Sequence, residues 1–281
     1  MLSNDNATRE CNKALRKLSS LQKNNGGIAW CKGMEESEFM TASVVEMLGW
    51  LVRYGMIDGG DITVSKTCHN ATRYIDNRLT EELNKAKEGN NIMSNYSMLY
   101  MAYARSYVDN KMPQTVKDSL LSLTKDWRKL DIQKRVMLAT LMWRNNKQDI
   151  ARTMLRSISQ NLVVKDEVAY LSLQGVSWWD NDIYIQSMLA QLMKEATPDD
   201  DNSRRLINWL MMQKRTEHWG NTQSTSRAVM SLITASSDNS STDNISVGGK
   251  EYSLSVEVPS MTTLLTSSSA ENNITATINK G

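Results

Sequence analysis

Cysteine is scarce in this 281-residue chain. Cys11, Cys31 and Cys68 are odd in number and are not spaced as metal ligands, so neither a disulfide framework nor a zinc cage is implied and a disulfide-free chain is expected. Histidine is scarcer still: His69 and His218 are the only two, which leaves no multi-histidine metal site and no HExxH pattern. Net charge is nearly absent too. Lys+Arg 33 against Asp+Glu 31 gives +2, without the concentrated basic excess of a nucleic-acid binder, so no nucleic-acid partner is expected. No apolar run of the length needed to cross a bilayer occurs, so direct membrane insertion by this segment is not expected. Met1 to Asp5 are not followed by a charged-then-apolar export signal, and both ends read as cuts in a longer protein. Glycine-rich phosphate loops, dinucleotide fingerprints and GxSxG elbows are missing, so no cofactor is expected.

Helix breakers are few, with 3 Pro and 13 Gly, whereas Met 18 and Trp 8 stand beside a single Phe. Long unbranched side chains with few breakers favour helices. From Ala7 to Gln22 the residues Ala7, Cys11, Ala14, Leu15, Leu18 and Leu21 fall on one stripe. A second, almost continuously apolar helix runs from about Ser37 to Tyr54 and stops at Gly55. Thr63 is expected to cap a third, with stripe Val64, Cys68, Ala71, Ile75, Leu79, Leu83. Further helices are read at about 95–108, from Pro113 to Trp127, after the cap Asp131, around Ile150 to Ile158, and at about 183–196, 200–214 and 222–235. The stretch 161–182 stays open between strand and helix. The polar run Ser236 to Asn244 reads as a linker, followed by strands at Ile245–Val247 and Glu251–Val258 about a Gly248-Gly249 turn, and another from Ile274 to Ile278. Two domains follow: 1–237, helical, and 238–281, a linker with β-strands of, or leading to, an adjoining β-domain.

Three connections repeat a pattern of Gln, a short polar or Gly-containing stretch, Trp, and a helix opening with small or hydroxyl residues. They are Gln22 through Gly26-Gly27 to Trp30, leading to Thr41; Gln174 to Trp178-Trp179, leading to Gln186; and Gln213 to Trp219-Gly220, leading to Gln223. A Gln at a helix end can bond free backbone groups of the turn, and a Trp can fill the wedge between hairpins. Helical hairpins repeating at roughly 40 to 50 residues build solenoids and closed rings.

The segments Leu21-Gln22 to Gly26-Gly27-Ile28-Ala29-Trp30 and Thr41-Ala42-Ser43-Val44 resemble the Q…GGxxW…TAxV stretch in the thioester domain of the α2-macroglobulin family, especially its bacterial members. Trp178-Trp179 resembles that family's later W-W turn. Trp209-Leu210, Gln213 and Trp219-Gly220-Asn221-Thr222-Gln223 resemble its W-L…W-G-N-T-Q block, the most specific of the matches, and Val247-Gly248-Gly249-Lys250 its strand turn. The resemblance, over about residues 10–281, implies a mainly α fold, an α/α toroid of the terpenoid-cyclase-like type, with a short C-terminal β segment and lacking its first helices. It further implies neighbouring macroglobulin-like β-domains in the same chain, target proteases as partners of the full-length endopeptidase inhibitor, and a periplasmic or extracellular place at the cell envelope.

The family's reactive motif is absent. Cys11 is followed by Asn12, Cys31 by Lys32 and Cys68 by His69, so no CGEQ-type thioester is encoded here. A non-catalytic domain that carries or shields a reactive bond elsewhere in the protein is the expected role, not an enzyme. The alternatives are an enzyme on the same ring, a terpenoid cyclase or polysaccharide lyase with a deep apolar or acidic-aromatic cavity at the ring centre, and a helical protein-binding scaffold. Against an enzyme, Glu35-Glu36-Ser37-Glu38, Asp180-Asn181-Asp182 and Asp199-Asp200-Asp201 match neither a D-x-D-D nor a D-D-x-x-D acid motif. Helix capping and dipole effects account for them.

Overall fold

The structure, a computed structural model, describes residues 4–86, 91–109, 111–173, 182–214, 219–236, 243–247, 250–254 and 274–277. It is mainly α. Ten α-helices occur among these residues: α1 (Asn4–Ser20), α2 (Glu38–Arg53), α3 (Ile62–Lys85), α4 (Tyr96–Arg105), α5 (Gln114–Leu123), α6 (Ile132–Arg144), α7 (Gln148–Ser159), α8 (Asp182–Ala196), α9 (Asn202–Met212) and α10 (Thr222–Ser236).

The even-numbered helices form an inner ring in which α2 packs on α4, α4 on α6, α6 on α8 and α8 on α10. Odd-numbered helices cover it from outside: α3 lies on α2 and α4, α7 on α6 and α8, and α9 on α8 and α10. Sequence explains the layering. Outer α7 has one apolar stripe, with only Ala151, Met154, Leu155 and Ile158 buried. Inner α4 is buried from Met98 to Arg105 on every side, as a helix surrounded by helices must be. Met98, Met101, Met137 and Met142 are all core residues, their flexible side chains filling irregular gaps.

Caps set the boundaries, and one differs from expectation. Asp61, not Thr63, caps α3: its carboxylate accepts from the N–H groups of Thr63 and Val64, and a carboxylate is the stronger acceptor at the positive end of a helix. Asp131 caps α6 through the Lys134 N–H. Helix α5 stops at Leu123, short of Trp127, which begins a separate 3-10 turn at Trp127–Lys129. The open stretch contains a hairpin, β3 (Leu162–Lys165) paired with β4 (Val168–Leu171), turned at Asp166 with φ 50. The expected Asp capping of α9 comes from Asp200, whose carboxylate accepts from the Asn202 N–H at 2.9 Å, and not from Asp201. That side chain makes no cap hydrogen bond and instead pairs with Arg204 and Arg205.

Two short strands, β1 (Ile28–Ala29) and β2 (Glu36–Ser37), pair within the α1–α2 connection. At the C-terminal end, β5 (Asp243–Val247), β6 (Lys250–Leu254) and β7 (Ile274–Thr277) form an antiparallel sheet of order β6-β5-β7. The expected Gly248-Gly249 turn and residues 255–258 lie outside the described residues, as do Gln174, Trp178, Trp179 and His218.

Candidate functional site

The N-terminal halves of α2 and α10 face each other across the ring, and the connections leading into them shape the mouth. In the first connection, Gln22 Nε2 donates to the Gly26 carbonyl at 3.1 Å and to the Thr67 carbonyl of α3 at 3.0 Å. That side chain therefore ties the loop to itself and to the neighbouring helix. Gly26 has φ +95, and a Cβ there would lie 2.2 Å from the Asn70 carbonyl oxygen; at Gly27 it would lie 2.7 Å from the Glu36 side chain. Only glycine allows this approach.

Thr41 and Thr225 play one part twice. The buried Thr41 hydroxyl accepts from the Ile28 N–H and donates to the Ser37 carbonyl, both at 2.8 Å. The Thr225 hydroxyl accepts from the Trp219 N–H at 3.0 Å and donates to the Asn221 carbonyl at 2.8 Å. A hydroxyl in the first helical turn thus holds the incoming strand of chain against the helix. In the remaining connection a buried Gln186 does this, accepting from the Leu171 N–H at 3.1 Å and donating to its carbonyl at 2.8 Å.

The tryptophans differ from one another. Trp219 is buried, and its indole N–H donates to the Leu210 carbonyl at 2.6 Å, next to Gly220 at φ 85. Trp30 does not fill a wedge: it is 52% exposed and stacks on Phe39 with ring centroids 6.1 Å apart. The tight β1–β2 ladder turns it outward. Trp209 stacks on Tyr170 of β4 at 5.8 Å. Gln213 is the exposed C-cap of α9, and Gln223 is exposed at the start of α10.

Inside the mouth lies a hub of buried polar side chains that the sequence reading passed over. Glu46 of α2 forms an ion pair with Arg227 of α10. Its other oxygen accepts from the Tyr100 hydroxyl at 2.9 Å, which also meets the Ser43 hydroxyl at 3.0 Å. Arg227 lies over the Tyr184 ring at 4.9 Å. Tyr107 bonds Tyr103 and the Gln191 side chain at 2.8 and 2.9 Å. Burial pushes the phenols of Tyr103 and Tyr184 well above their ordinary range, so they stay protonated, and the Tyr184 oxygen accepts from Arg227 at 3.3 Å. At the far end of the ring, Arg144 holds Glu195 at 2.8 Å and stacks on Tyr107 at 3.9 Å.

Two cavities mark the two ends. The one at the mouth, about 450 Å³, is bounded by Trp30, Phe39, Tyr100, Tyr184 and by Glu46 and Arg227. The other, about 710 Å³, is lined by the C-terminal ends of α2, α4 and α6, with Arg53, Arg144, Cys68 and His69. Burial pushes the Cys68 thiol up to about 11, which keeps it protonated and a poor nucleophile. His69 is exposed and Cys68 packs on the core. Among the described residues no group of three or more His, Cys, Asp or Glu is arranged to hold a metal, and no helix is long and apolar enough to cross a membrane.

No protein-family model matches the chain, and no curated protein matches it by sequence. Solved structures match it by fold. Native α2-macroglobulin from Escherichia coli, spanning domain MG7 to the C-terminus, is similar over 88% of this chain with a TM-score of 0.60 and 14% identity. The native conformation of E. coli α2-macroglobulin is similar over 88% with a TM-score of 0.59 and 16% identity. The chain spans 38% of the first and 15% of the second. At these identities the fold is what the proteins share.

Proposed function

We propose that this chain is part of a bacterial α2-macroglobulin-like protease-trapping protein, in which residues 1–237 form the ring domain and 238–281 lead into a β-domain. The observation that carries the reading is the likeness in fold over 88% of the chain to native E. coli α2-macroglobulin, reached independently of the Q…GG…W and W-G-N-T-Q segments. Its role is non-catalytic: to carry or shield a reactive bond encoded elsewhere in the protein, and to move as one body when a cleaved bait segment triggers closure. Neighbouring β-domains and target proteases are its partners, and the cell envelope, periplasmic or extracellular, is its place.

The residues agree with that role. Inner helices linked by buried ion pairs and a tyrosine hub make a stiff body, suited to moving as a unit. The enzyme reading asks for an acid free to protonate a substrate in the central cavity. Among the described residues the only carboxylate lining the mouth cavity is Glu46, and it is engaged by Arg227 and Tyr100.

The test uses the full-length protein and a serine protease assayed on both a large protein substrate and a small peptide. Loss of activity on the large substrate with activity on the peptide retained is the expected result. Equal activity on both, with no bait cleavage, overturns the reading. A methylamine arm distinguishes the chemistry. Attack of the amine on a thioester carbonyl forms an amide and releases one Cys thiol, detected by peptide mass and thiol titration; trapping without incorporation marks a thioester-free inhibitor.

A further inference from the structure

The mouth cavity is built like a small-molecule site. We propose that it binds an uncharged aromatic small molecule carrying a hydrogen-bonding amine or hydroxyl. Nothing in this proposal depends on protease trapping.

Size and lining come first. A volume of about 450 Å³ falls in the range of roughly 300–1,000 Å³ typical of ligand sites, which are mostly apolar with a few convergent polar groups. The cavity walls are aromatic: Trp30 stacks on Phe39 at 6.1 Å and Phe39 on Tyr100 at 5.5 Å, and Tyr184 is part of the same lining. A flat ring entering the cavity can stack on these lining rings. Met40, Met47 and Met230 complete the lining, and methionines adapt to the outline of a guest.

Charge decides the class of guest. Among the described residues Glu46 and Arg227 are the only charged side chains lining the cavity, both are 4% exposed, and each neutralises the other. An ionic guest would lose its hydration and find no free counter-charge. The helix ends at the mouth offer no unused anion site either, because Ser37 caps α2 through the Met40 N–H and Asn221 caps α10 through the Ser224 N–H. The Ser43 and Ser226 hydroxyls, bonded to Tyr100 and to the Thr222 carbonyl, can still accept a hydrogen bond from a guest amine or hydroxyl, and the Gln223 amide lines the same cavity.

Two dyes with one ring skeleton test the idea on the intact chain: N-phenyl-1-naphthylamine, which is neutral, and 8-anilinonaphthalene-1-sulfonate, which adds a charge. Saturable binding of the neutral dye at one site, about tenfold tighter than its sulfonate, is expected from the cost of burying an unpaired charge. Trp30→Ala removes the outer wall, and Ser226→Trp, from an exposed position on α10, fills the entrance. Each should weaken the neutral dye about fivefold or more if stacking and access matter, with the helical circular dichroism unchanged. Should either variant fail to fold, Gln223→Trp at the exposed start of α10 blocks the same entrance. Equal affinity for both dyes, or binding indifferent to the substitutions, overturns the proposal.

Discussion

Glu46 on the second helix and Arg227 on the last of the described helices pair with one another across the mouth. Their neighbours in the ring are joined by packed helix faces, whereas this pair spans the two walls of the mouth cavity. Replacing Arg227 by Met leaves a buried carboxylate with only Tyr100 as partner, and a lone buried charge costs about 3–5 kcal/mol. The double variant Glu46→Leu/Arg227→Met should lose distinctly less than the sum of the two single variants. Urea unfolding of all four proteins checks it, and additive losses would show that the two side chains do not interact.

Gly26 and Gly33 separate crowding from backbone strain. Both have positive φ, but a Cβ at Gly26 would strike the Asn70 carbonyl at 2.2 Å while one at Gly33 meets nothing within 4 Å. Gly33→Ala is expected to cost about 1 kcal/mol, the usual penalty of the left-handed region. Gly26→Ala should cost on the order of 2–4 kcal/mol, because the loop must also move away from α3. Comparable melting temperatures for the two variants would sink this account.

Thr41→Val and Thr225→Val each remove a hydroxyl while keeping the shape of the side chain. The N–H groups of Ile28 and Trp219 lose their partner, a loss of about 1–3 kcal/mol where the group is buried. Because Ile28 is fully buried, the larger effect is expected at Thr41. Amide exchange at Ile28 should accelerate in Thr41→Val and stay unchanged in Thr225→Val.

The stability of the ring should fall in acid through Glu195. Burial raises this carboxyl, but the charge and hydrogen bond of Arg144, with Arg53 beyond, more than offset that and leave it below its ordinary 4.5. Over the window between the folded value and 4.5 the unfolded chain binds more protons, so stability rises with pH. The contribution is complete above about 4.5 and is lost as pH drops through the folded value. Glu195→Gln should flatten that part of the stability profile. Asp76, held above its ordinary value by burial against the pull of Arg105, acts in the opposite sense and does not mimic the effect.

The helices were legible because their apolar stripes repeat with the helical period, and several of their starts because Asp131 and Pro113 are strong local signals. Thr63 misled because Asp61, two residues earlier, offers a charged acceptor to the Thr63 and Val64 N–H groups and so starts the helix sooner. The β1–β2 ladder left no alternating pattern to read: it is held by Gln22, Thr41 and the close approach of Gly26, all long-range or side-chain contacts. The polar hub was hidden because a buried Tyr or Arg on an amphipathic helix looks like the edge of its wet face. One clue existed in Glu46, a lone charge within Val44-Val45-Glu46-Met47-Leu48, where a solvated face has no room. Trp30 carried a motif but not its orientation, which the short strand pair decides.

The chain order of the inner helices bears on how the molecule assembles. Each ring neighbour is also the next-but-one helix along the chain, so nearly all of the ring is made of contacts between segments close in sequence, the kind that form early and quickly. The side-chain links across the mouth and hub are exceptions, Tyr107 with Gln191 and, most distant in sequence, Glu46 with Arg227, which has to overcome the loop entropy of everything between them. Most of the arc is thus made of contacts that cost little chain entropy, hairpin upon hairpin, and the links that span it are the ones that cost the most.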